Sequence, residues 1–185
     1  MKSICTILSL MMITMFSSFA QVGIQSPKLP MDESTKLFSY TDVVEVPTLK
    51  KLDLYNKGLE WCNKYFKNPN DVIRERDSIE GNIICKARFK ISNPVDKKGI
   101  STDGGVVQYT LKMMFKDGKF KYTITEFNWK QASYFPAEKW TDKTNAYYKP
   151  EYDFYLQQLN EKAREISKEL EKSMKSVSTE KKNDW

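Results

Sequence analysis

Residues 104–129 read GGVVQYTLKMMFKDGKFKYTITEFNW, two alternating runs that meet at Asp117-Gly118. Side chains alternate along a strand, so Val107, Tyr109, Leu111, Met113 and Phe115 point one way. Gln108, Thr110, Lys112 and Met114 point the other. An Asp-Gly pair between alternating runs signals a two-residue hairpin turn, and type I′ is the form expected. That turn sets Phe115 opposite Phe120, Met113 opposite Tyr122 and Leu111 opposite Ile124. One face of the hairpin is therefore apolar, and the other is polar and mildly basic.

Before the hairpin, Ile83, Cys85, Ala87, Phe89 and Ile91 alternate with Lys86, Arg88 and Lys90, which predicts a half-buried strand over residues 83–91. Residues 72–79 are crowded with charge and suit an edge strand. Leu52, Tyr55, Leu59, Cys62 and Phe66 recur at helical spacing, so a helix spans about 52–66 and stops at Asn68-Pro69. Residues 37–46 are β-branched and aromatic and end at Pro47, a first strand. Residues 21–36 have little periodicity and read as an extended lead-in.

Beyond the hairpin, residues 127–155 hold ten of the chain's 24 aromatic residues, most of them on a long connection. Pro150 then opens a helix, with Glu151 and Asp153 suited to its positive end. Its apolar stripe is Leu156, Leu159, Ala163, Ile166, Leu170 and Met174. Residues 176–185 read as a disordered tail. The order β-α-β-β-β-β-α fits an α+β domain over residues 37–175, an antiparallel sheet of about five strands with both helices on one face. The other face is left open.

The first twenty residues carry Lys2, an apolar run and the small-x-small site Ser18-Phe19-Ala20, the pattern of a secretory signal peptide cleaved at Ala20-Gln21. A retained anchor is the alternative, but the run is short for a bilayer about 30 Å thick. Cleavage leaves 165 of the 185 residues and takes the formal net charge from +6 to +5. The chain is thus expected to be exported, periplasmic or extracellular, with no transmembrane segment after cleavage. Cys62 and Cys85 both fall on core-facing positions, where a disulfide is geometrically conceivable and two buried thiols are the preferred reading.

Several stretches also resemble a bacterial exported family of unknown function, domain of unknown function 4468. They are LPMDE from Leu29, YTDVVEVP from Tyr40, DLYNKGLEW from Asp53, and the hairpin itself. The resemblance covers roughly residues 29–127 and implies a TATA-binding-protein-like fold of the same strand and helix order. Cys85 departs from the glycine or other small residue expected there. The resemblance implies no activity, cofactor or catalytic residue.

The chain contains no histidine, which removes Ser-His-Asp and Cys-His nucleophile pairs and a common zinc ligand. Neither CxxC spacing nor a glycine-rich phosphate loop occurs, and no cofactor is expected. Paired carboxylates remain as a route to hydrolysis, with Glu75 and Asp77 or Asp103 and Glu126 as the acids present. Charged edge and loop positions account for them without chemistry. Calcium at Asp96 and Asp103 is opposed by the intervening lysines, and no metal site is expected.

The basic side of the sheet is the better candidate. Lys86, Arg88, Lys90, Lys112 and Lys121 would share one face, and Trp140, Tyr147 and Tyr148 would supply a neighbouring aromatic rim. A solvated surface and a core-covering loop are the plain alternatives. The sequence thus predicts a non-enzymatic binding or interaction module for an unknown envelope protein or glycan. A carboxylate-dependent hydrolase is its rival. Nucleic-acid binding by the sheet face is a second one, which export argues against; oligomeric state is not legible.

Overall fold

The computed structural model describes residues 26–176. The expected signal peptide, the first residues of the lead-in and the tail from residue 177 lie outside them. In chain order come β1 (Tyr40–Glu45), α1 (Lys51–Tyr65), the four-residue α2 (Pro69–Val72), β2 (Ile73–Asp77), β3 (Asn82–Ser92), β4 (Asp103–Lys116), β5 (Lys119–Lys130) and β6 (Tyr134–Pro136). A 3-10 turn (Ala137–Thr141) and the long helix α3 (Glu151–Lys175) follow. One antiparallel sheet runs β1-β5-β4-β3-β2, and β6 also pairs with β5. The expected α+β order holds. To it the structure adds β6, α2 and the 3-10 turn, giving six strands rather than five.

The hairpin has the predicted register, with Phe115 opposite Phe120, Met113 opposite Tyr122 and Leu111 opposite Ile124. Its turn is not type I′. That form needs positive φ at both central residues, and only Gly118 has it, at 76°. Long-range contacts explain the difference. The Asp117 carboxylate accepts the Lys51 N–H at 2.8 Å, and Gly118 donates to the Leu49 carbonyl and accepts from the Val46 N–H. Asp117 thereby caps α1, whose own flanking residue Lys50 makes no side-chain cap. Asp117→Ala is expected to cost about 1 kcal/mol in urea unfolding, as lost caps do, with Asp117→Asn close to wild type.

A bulge interrupts the hairpin: Gln108 pairs with Asn128 and Thr110 with Thr125, so β5 carries one extra residue. Glu126 sits there at φ 57°, left-handed backbone that a non-glycine residue adopts at a cost. The extra residue flips the facing of β5. Phe120, Tyr122 and Ile124 point to the helices before it, and Phe127 is buried after it.

Both long helices lie on the face that buries Leu111, Met113, Phe115 and Ile124. Tyr40 donates to Asn160 of α3 at 3.0 Å, and Tyr122 to Glu171 at 2.8 Å. The α3 stripe is buried as predicted from Leu156 to Met174. The α1 stripe is rotated from the expected one: Leu54, Tyr55, Gly58, Trp61 and Cys62 are buried, whereas Leu52 is 55% exposed in the first turn. Gly58 allows the close approach, since a Cβ there would lie 2.5 Å from the Phe115 ring.

The lead-in is not simply extended. It turns at Asp32, whose carboxylate caps the Ser34 and Thr35 N–H groups, and Met31 bridges Phe38. The Ser34 hydroxyl at 2.7 Å, followed by the Thr35 contacts, holds the Asp32 carboxyl down at about 2.

Candidate functional site: the outer face of the sheet

Strand alternation delivers the basic residues together. On β3 the buried Cys85 and Ala87 alternate with the exposed Lys86 and Arg88. Lys86 stands opposite Thr110 and Arg88 opposite Gln108; Lys112 lies between Ile84 and Thr123, and Lys121 stands opposite Met114. With Lys90 opposite Val106, all five expected cations fall on the side away from the helices. A shallow depression of about 500 Å³ opens among Arg74, Lys86, Arg88, Gln108, Asn128 and Tyr134. Lys90, Lys112 and Lys121 are outside its lining.

Three of these lining residues were missed by the strand pattern. Arg74 is the extra residue of a bulge in β2, between Ile73 opposite Cys85 and Glu75 opposite Ile84. Asn128 reaches the outer face only because the β5 bulge flips the strand. Tyr134 arrives on β6, and its hydroxyl donates to the Gln108 carbonyl oxygen at 3.3 Å. Arg88 Nε lies 3.5 Å from that same oxygen, so Gln108 links the guanidinium to the phenol.

The expected aromatic rim needs correction. Trp140 is 0% exposed, its ring 5.4 to 6.0 Å from those of Trp129, Tyr152 and Tyr155 on the helix side. It is core. Tyr148 is half-buried and packs edge-on against Tyr152 at 5.7 Å. Tyr147 is 85% exposed, yet neither tyrosine lines the depression. The aromatic group on the basic face is Tyr134, itself 55% exposed.

A protein-family model described as "Domain of unknown function (DUF4468) with TBP-like fold" matches residues 40–130. Those residues are a domain of this family. A crystal structure of a DUF4468 family protein from Bacteroides ovatus superposes with a TM-score of 0.63 at 15% identity, covering 85% of this chain and 94% of that one. A TBP-like protein from Parabacteroides distasonis gives a TM-score of 0.58 at 12% identity, covering 80% and 97%. At these identities the likeness establishes the fold. No curated protein matches the sequence. The matched segment of the DUF4468 domain holds every lining residue except Tyr134.

Within the DUF4468 domain, Asp77, Asp96, Asp103 and Glu126 have local partners. Asp77 accepts the backbone N–H groups of Ile79 and Glu80, Asp96 those of Lys98 and Ile100, and Asp103 that of Gly105. Glu126 accepts from the buried Thr110 hydroxyl at 2.7 Å and pairs with Lys112 at 3.3 Å. The Thr110 hydrogen bond, then Lys112, hold its carboxyl below the usual range against the opposing effect of burial. Asp103 begins β4 opposite Ser92, so the register separates it from Glu126 at the bulge. Burial pushes the Glu138 carboxyl up, and it sits on the 3-10 turn, accepting the Phe38 N–H. Among the described residues no three His, Cys, Asp or Glu side chains gather as a metal site, and no helix is long and apolar enough to cross a membrane.

Proposed function

We propose that this protein is an exported, non-enzymatic binding module whose outer sheet face recognises an anionic partner at the cell envelope. One observation carries the reading: Arg74, Lys86 and Arg88 converge on a depression that also presents two amides and a tyrosine, with no carboxylate in its lining. Clustered cations draw an anionic group from a distance. Gln108, Asn128 and the Tyr134 ring supply hydrogen bonds and a flat contact once it arrives. The N-terminal secretory pattern supports export, and export in turn weighs against nucleic acid as the partner. The fold label does not favour it either, because a fold does not confer a function.

The direct test reverses two charges at the centre of the face. Lys86→Glu with Arg88→Glu should abolish capture of the partner from envelope fractions while leaving the melting temperature nearly unchanged, because both side chains are solvent-exposed. Capture by the wild-type protein should weaken with added salt, since exposed charges are screened over about 8–10 Å at physiological ionic strength. Undiminished capture by the double variant would reduce the face to a solvated surface.

A further inference from the structure

We propose that Cys62 and Cys85 are a disulfide site, closed while the chain folds in an oxidising compartment and sealed in the core afterwards. Cys62 lies on the core side of α1 and Cys85 on the inner side of β3. Both are free thiols with 0% exposure, and their Sγ atoms are 3.7 Å apart. An S–S bond is about 2.05 Å long, so closure needs a movement on the scale of a side-chain rotation. The site does not depend on what the outer face binds.

The folded pair is inert. A thiol reacts as its thiolate, and the contact with Cys85, followed by burial, pushes the Cys62 thiol far up. Zero exposure also denies a disulfide donor any approach to either sulfur. Neither barrier exists before α1 docks on β3. The bond therefore forms in the unfolded or partly folded chain, between cysteines 23 positions apart.

The chemistry is an exchange with a disulfide donor, either a small-molecule disulfide or a thiol-oxidising protein. The thiolate of one cysteine attacks a donor sulfur, giving a mixed disulfide and releasing one donor thiolate. The second cysteine's thiolate then attacks the chain's own sulfur in that mixed disulfide and expels the other half of the donor. The chain loses two electrons and two protons, and the donor leaves as two thiols. The product ties the helix layer to β3, the strand that carries Lys86 and Arg88 on its opposite side.

The test uses the full chain with Cys5→Ser, which leaves Cys62 and Cys85 as its cysteines. Reduced and unfolded, it is refolded with glutathione disulfide, then unfolded and alkylated without reductant for intact-mass analysis. The expected product takes no alkyl group, has lost two hydrogens, and melts roughly 5–10 °C above the reduced protein. The same donor added to the already folded dithiol should leave both cysteines open to alkylation after unfolding. A refolded chain with two free thiols, or one carrying glutathione and no crosslink, overturns the site. Equally fast oxidation of the folded dithiol overturns its sealing.

Discussion

Replacing Trp140 with alanine is expected to destabilise the protein by about 3–5 kcal/mol, the range for deleting a buried large aromatic side chain. The indole is fully buried, and its neighbours Trp129, Tyr152 and Tyr155 belong to a strand end and to the first turns of α3. An alanine there opens a cavity that these elements can only partly close. Trp140→Phe should be far milder, under about 1.5 kcal/mol, because it keeps most of the ring volume. It also removes the indole N–H, which is buried without a partner. Tyr147→Ala, a few residues on, should stay within about 0.5 kcal/mol of wild type, as exposed surface changes do. Urea unfolding separates these outcomes, and an unaffected Trp140→Ala would return the indole to the list of recognition candidates.

Trp140 and Tyr147 also mark the limit of what the sequence could reveal. Both stand in an aperiodic, aromatic-rich connection, and no local pattern says which ring turns inward. The hairpin was legible because period-two alternation and an Asp-Gly pair jointly fix a register. Its turn type was not, because Asp117 is recruited by the N-terminus of α1, which lies far away in sequence. β6 is three residues long and includes Pro136, too short to show alternation; pairing with the end of β5 creates it.

The β5 bulge did leave a trace: Ile124 and Phe127 are both large and apolar, yet out of phase along one strand. Taken seriously, that mismatch would have turned Asn128 outward and placed an amide on the basic face. Arg74 left no such trace, because charge on every side of β2 hides its phase. The five predicted cations were legible for the opposite reason, since each alternates with buried apolar neighbours. Nothing in that alternation says how deep the surface between them is.

The two faces of the central hairpin should differ sharply in their contribution to stability. Leu111→Ala and Ile124→Ala are each expected to cost about 2–5 kcal/mol, because both side chains are fully buried beneath the helices and directly opposite one another. Their neighbourhood makes the double variant less than additive, since one cavity serves both deletions. Thr123→Ala, one residue before Ile124 on the outer side, should cost well under about 1 kcal/mol. It removes an exposed hydrogen bond to the Thr41 hydroxyl at 2.9 Å and little else. The contrast follows from having both long helices on one side of the sheet, and the same asymmetry frees Lys86 and Arg88 to meet a partner. Comparable losses at Thr123 and Ile124 in chemical denaturation would mean that the outer side is packed as well. A packed outer side would leave no open basic face, and the binding proposal would fall with it.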